Sequence, residues 1–196
     1  GAYVGLFGHD LYTLVSGGFS FGSLNINDEA QRALNMAGAD TAGFYSKFNL
    51  TLSANLELTG KLSAKASFKL QQVLSGNNLD SSEQFFISGT SGVRAYTESV
   101  GFDNGTLVNV ELRYELPTLF DIRNSVGLFF DNGWAYAENG NYTANNSFVL
   151  NDAGVGYYIA FKQLFCNVQL AQPIGKTGGV NDPGTRFLIQ FGAAFL

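Results

Sequence analysis

The chain is poor in the residues that most folds use for cross-linking or chemistry. Its single cysteine, Cys166, excludes an internal disulfide, and with His9 the only histidine no set of metal ligands can be assembled, so no metal or other cofactor is expected. Charged residues make up only 14% of the chain and form no basic cluster, and a net charge of -5 with a pI near 4.7 argues against nucleic acid as a partner. No apolar run reaches the length of a helical membrane span. Asp80, Ser81, Ser82 and Glu83 gather carboxylates and hydroxyls without a histidine to activate them, which suits a polar turn and not an enzyme. Signal-peptide character is also missing at the start, so the chain reads as mature or as a piece of something longer.

What is present is alternation. From Phe44 to Leu58 the even positions are Phe, Leu or Ala apart from Ser46, while the odd ones run Tyr45, Lys47, Asn49, Thr51, Ser53, Asn55 and Glu57. Leu62, Ala64, Ala66, Phe68 and Leu70 repeat the pattern, alternating with Lys61, Ser63, Lys65, Ser67, Lys69 and Gln71. Val108 to Leu116, Val126 to Tyr136, Ala153 to Phe161, Leu164 to Leu170 and Phe187 to Phe195 alternate in the same way, with Tyr158 and Leu188 out of pattern. A glycine-rich segment from Leu11 to Ile26 brings the number to about eight strands. Several keep alternating for about ten residues, the length a tilted strand needs to cross a bilayer and longer than soluble sandwich strands usually run. The fold expected is therefore an all-β antiparallel transmembrane barrel, with outer-membrane lipid against one face and water against the other.

The connections alternate long and short: Asn27 to Ala42, Thr59-Gly60, Ser75 to Asn104, Pro117 to Ile122, Glu138 to Ser147, Lys162-Gln163, and Pro173 to Pro183. Outer-membrane barrels place short turns in the periplasm and long loops outside, which puts the C-terminus in the periplasm and the loop over 75–104 on the far side. Glu57, Glu111 and Glu115 with Lys61, Lys65 and Arg113 read as salt bridges lining the interior. Asn139, Asn141, Asn145 and Asn146 mark an exposed loop.

Four stretches then carry a resemblance: Leu79-Asp80-Ser81-Ser82-Glu83-Gln84-Phe85-Phe86, the segment Gly89 to Tyr96, Glu111-Leu112-Arg113-Tyr114-Glu115-Leu116-Pro117, and Phe129-x-Asp131-x-Gly133. In order and spacing they resemble the C-terminal half of the barrel of two-partner-secretion outer-membrane transporters of the haemolysin-activator type (TpsB; ShlB/FhaC/HecB). The resemblance implies a sixteen-stranded barrel preceded by periplasmic POTRA domains, neither of which this chain alone supplies. It implies a pore that exports a large unfolded TpsA-like protein, such as a haemolysin or adhesin. It further implies that the loop over 75–104 folds back into the lumen, where Arg94, within Val93-Arg94-Ala95-Tyr96, contacts Asp131, flanked by Phe129 and Gly133. Gln190, Gly192 and Phe195 resemble most of the C-terminal signal read by the barrel-assembly machinery, although the chain ends on Leu196. Ala95 stands where the family has glycine, so a tip that needed a glycine-only backbone angle would have to repack.

By alternation alone, Asp131 shares the water-facing side with Phe129 and Gly133. Three arrangements fit the chain length: one part of a larger barrel completed by a missing N-terminal half, a small self-closed eight-stranded barrel of structural or adhesive type, or pairing with a second copy. The first is preferred, because Lys61, Lys65 and Lys69 would crowd a narrow interior. A membrane-protein assembly barrel of the same superfamily is the alternative within the resemblance.

Overall fold

The computed structural model describes residues 1–6, 8–97, 99–175 and 184–193. Eleven strands and one helix follow in order: β1 Ala2–Leu6, β2 His9–Leu24, α1 Glu29–Ala37, β3 Gly43–Glu57, β4 Leu62–Val73, β5 Phe85–Phe86, β6 Gly101–Phe102, β7 Asn104–Glu115, β8 Arg123–Tyr136, β9 Ser147–Phe161, β10 Leu164–Pro173 and β11 Arg186–Ala193. Nine of them form a single sheet in the order β1-β2-β3-β4-β7-β8-β9-β10-β11, every pair antiparallel, and β5 pairs with β6 in a separate ladder. The sheet is open, with β1 and β11 as its edges, so it is not the self-closed eight-stranded barrel.

One pair of adjacent rungs shows why this chain makes such a wall. Across all nine strands, Val4, Leu11, Leu56, Ala64, Leu112, Leu128, Val155, Leu170 and Phe187 stand opposite one another in sequence. The neighbouring rung, one residue along on each strand, reads Tyr3, Tyr12, Asn55, Lys65, Glu111, Phe129, Gly154, Ala171 and Arg186. A one-residue slip anywhere would exchange the two sets, so the hydrophobic pattern pins the register. The apolar face is uncovered: Leu128 is 63% exposed, Phe187 61% and Phe191 81%. Bare apolar rows of this length belong against hydrocarbon, and Trp134 stacked on Tyr136 at 4.7 Å supplies interfacial aromatics near one end of β8.

The core lies on the other, inner face, between the sheet and the loop over 74–103. Ile87, Val93, Tyr96 and Val100 of that loop pack with Leu107, Phe129, Leu150 and Leu188 of the wall. Leu188, an apolar residue on the polar side of its strand, is buried because the loop covers it. Tyr158, the other residue out of pattern, lies on the inner face under the Arg113 guanidinium, which sits 3.6 Å from its ring centroid.

Three details differ from the sequence reading. The sheet has nine strands instead of about eight, because Ala2–Leu6 hairpins back onto His9–Thr13 through Gly8 in the left-handed region. The connection expected as a loop from Asn27 to Ala42 contains α1, which starts where Asp28 accepts the Gln31 amide at 2.8 Å and continues through Ala-Gln-Arg-Ala-Leu, all good helix formers. The connection from Ser75 to Asn104 carries its own ladder, and Asn104 already belongs to β7.

Because Leu128 sits near the middle of β8 on the lipid-side rung, Leu128→Arg should destabilise the folded wall by about 2–4 kcal/mol, whereas Phe161→Arg at the turn end of β9 should cost about 0–1 kcal/mol. Denaturant titration of folding into phospholipid vesicles, with the full-length protein, measures both.

Candidate functional site

The site is the seat of the loop tip on the inner wall. Val93, Arg94, Ala95 and Tyr96 form a tight turn in which the Tyr96 amide donates to the Val93 carbonyl at 3.3 Å, and Gly89 donates to the Tyr96 carbonyl at 3.1 Å. Among the described residues the non-glycines with positive φ are Asp40, Phe120, Asp121 and Lys162, so Ala95 has no backbone angle that would call for glycine.

Arg94 reaches β8 as a fork. Its Nε donates to Asp131 Oδ2 at 2.8 Å and its Nη2 to Asp131 Oδ1 at 3.0 Å, a two-point contact that a lysine ammonium does not reproduce. The remaining nitrogen, Nη1, lies 3.3 Å from Glu111 Oε2, and the guanidinium plane covers the Phe129 ring at 3.5 Å from its centroid. Asp131 has no solvent exposure. Its Oδ1 also accepts from Asn109 Nδ2 at 2.8 Å, while the same amide group donates to the Gly92 carbonyl at 3.0 Å. Glu111 continues the chain of charges to the Arg113 guanidinium.

The backbone of the tip is held as closely as its side chain. Asp152, directly across from Asp131 on β9 and equally buried, accepts the Ala95 amide at 2.6 Å through Oδ2. Arg186 on β11 donates from Nη1 to the carbonyls of Arg94 at 2.9 Å and Tyr96 at 3.0 Å. Gly133 faces Ile87 and Val93 so closely that a Cβ there would stand 2.8 Å from Ile87 Cβ, which is why the last position of the Phe-x-Asp-x-Gly pattern carries no side chain. Gly154 lies beneath the Phe129 ring in the same way, with the ring and the Leu170 carbonyl leaving no room for a Cβ.

Further from the tip, the loop is fastened by polar side chains of the wall and of its own end. Lys47 Nζ pairs with Glu83 Oε2 at 2.9 Å, and Gln71 Nε2 donates to the carbonyls of Glu83 and Asp103 at 3.0 and 2.9 Å. Asp103, fully buried, accepts the amides of Leu79 at 2.8 Å and Glu138 at 2.9 Å, joining this loop to the one over 137–146. Asp80 closes the expected polar turn by accepting the Ser82 amide and hydroxyl at 3.1 and 2.8 Å.

The structure thus brings together Val93, Arg94, Ala95 and Tyr96 with Phe129, Asp131 and Gly133. Gln190 and Gly192 lie elsewhere on the inner face of β11, the former accepting from Asn167 Nδ2 at 3.3 Å and the latter under the Phe165 ring. Phe195 lies outside the described residues. Sequence reasoning did not single out Asn109, Asp152, Asp103 or Arg186 as site residues. Their strand parity placed the wall residues among them on the polar face, but nothing local says which polar residues meet the tip.

A family model of haemolysin secretion/activation proteins, ShlB/FhaC/HecB, matches residues 15–158. No curated protein sequence matches the chain significantly. Among solved structures, CdiB from Escherichia coli superposes on 98% of this chain with a TM-score of 0.79 and 17% sequence identity, and the chain spans 35% of CdiB.

Removing Arg94 leaves Asp131 buried without its cation. Arg94→Ala should therefore weaken docking of the loop by about 3–5 kcal/mol, and Arg94→Lys should recover only part of it. Gly133→Val should displace the loop by contact with Ile87 and Val93 while leaving the sheet intact. Limited proteolysis within 75–104 of the membrane-embedded protein reads all three. Glu83 is held below the usual carboxylate range chiefly by the hydrogen bond from Lys47. With its folded value the lower one, its contribution to anchoring is full above the ordinary glutamate pKa of about 4.3 and is lost as pH falls through the depressed value. Cleavage beside Glu83 should accordingly rise in acid, and Lys47→Met should abolish that step.

Proposed function

The chain belongs to the haemolysin secretion/activation family ShlB/FhaC/HecB, and from that membership we propose that it forms the second half of the barrel of an outer-membrane two-partner-secretion pore. The pore passes a large unfolded TpsA-like partner passively, without catalysis. A first barrel half completes the edges at β1 and β11, lipid covers the apolar rungs, and the barrel-assembly machinery reads Gln190, Gly192 and Phe195. The long loops face outward and the C-terminus lies in the periplasm.

The observation that carries this reading is the two-point contact of Arg94 with a fully buried Asp131 in a chain of this family. A loop spread over the inner wall by apolar contacts alone would resist removal uniformly. One whose tip depends on a few charge-assisted bonds is stable at rest and is released when those bonds are exchanged for water or for a passing chain. The loop over 75–104 is then a resident plug, and Arg94 with Asp131 is its catch. Phe129 and Gly133 shape the seat, Val93 and Tyr96 fill it, and Ala95 presents its amide to Asp152.

In the full-length transporter, Arg94→Ala and Asp131→Asn should each reduce the exported partner by about tenfold or more, at unchanged amounts of barrel in the outer membrane. Planar-bilayer recordings of the same proteins should show altered conductance. Undiminished export in both variants, with the loop displaced, would overturn the reading.

A further inference from the structure

The rung that holds Phe129 continues Glu111, Phe129, Gly154, Ala171 and Arg186 across five strands. Its two ends are long charged side chains, and between Phe129 and Arg186 stand only Gly154 and Ala171, so a trough runs across β9 and β10. Ala171 is fully buried at its floor. The loop tip lies in this trough. On one bank Arg94 extends outward to Asp131 and over Phe129, and on the other Arg186 extends inward to the carbonyls of Arg94 and Tyr96. The polar groups of the tip are sorted by sign: the amides of Arg94 and Ala95 point at the carboxylates of Asp131 and Asp152, at 3.4 and 2.6 Å, and the carbonyls point at the Arg186 guanidinium. Arg186 is also the first residue of β11, which among the described residues pairs on one side, with β10.

We infer that Arg186 is a positioning residue, a second catch on the loop tip that ties it to the start of β11, so that release of the loop and loosening of that strand are one event. The inference deepens the transport reading, on which its meaning for export rests: a chain that unseats the tip also frees the wall at β11. A single Nη1 shared by two carbonyls asks only for a cation with several donors, which lysine supplies; the forked contact of Arg94 does not allow that exchange.

Hydrogen exchange on the resting full-length protein in phospholipid vesicles tests it. Arg186→Ala should speed exchange of the amides over 93–97 by about tenfold, the equivalent of one or two lost charge-assisted hydrogen bonds. Asp131→Asn, with Arg186 intact, should speed exchange over 187–191 to a similar degree although it touches no atom of β11. Arg186→Lys should stay near the wild-type pattern in both segments. If Arg186→Ala fails to fold, the Asp131→Asn and Arg186→Lys arms still decide. Exchange over 187–191 that ignores Asp131→Asn overturns the inference, whatever happens to export. Reciprocal exchange in a protein that exports nothing sustains it and counts against the transport reading alone.

Discussion

A carboxylate with no access to water must be compensated, and at Asp131 the compensating charge comes from a loop and not from the sheet. That requirement organises the inner wall. Because the guanidinium has to arrive flat and in line, Phe129 lies under it as a platform and Asn109 takes the remaining lone pair of Oδ1. Because the tip has to come close, Gly133 and Gly154 carry no side chain where Ile87, Val93 and the Phe129 ring press in. The second buried carboxyl group, Asp152, takes the adjacent amide of Ala95 instead of the Arg94 side chain, so two carboxyl groups face each other across β8 and β9 with separate donors.

The energetics divide between the ends of the loop and its middle. Asp103, Gln71, Lys47 and Asn104 fasten the ends through backbone amides and carbonyls, contacts that survive small shifts of the tip. The middle combines burial of Ile87, Val93, Tyr96 and Val100 with the charge pair. Apolar contact is tolerant of sliding, whereas a fork on a carboxylate is not, so the pair sets the position and the packing supplies much of the affinity. On the proposed reading this division lets the tip leave while the loop stays tethered at both ends.

Alternation along the chain determined the wall. The period of two from Phe44 to Leu58 and its repeats assign every wall residue to one of two faces, and they did so for Asp131, Phe129 and Gly133. Alternating loop lengths likewise follow from turn residues and gaps in the pattern. The first strand escaped because Ala2–Leu6 is short, and α1 because nine residues of helix inside a polar connection leave little periodic signal.

What only the tertiary structure decided is which residues on the polar face meet. Face is a local property, set by the parity of each residue within its own strand. Neighbourhood is a sum of registers, and Arg186 reaches the tip only because four strand pairings in succession bring it onto the rung of Glu111 and Phe129. Asp152 and Leu188 are of the same kind: one reads locally as a polar wall residue, the other as a break in pattern, and each takes its role from a loop many residues away that lies over it. Strand chemistry is written along the chain, while the pairing of buried charges depends on how far each strand has slid against the next.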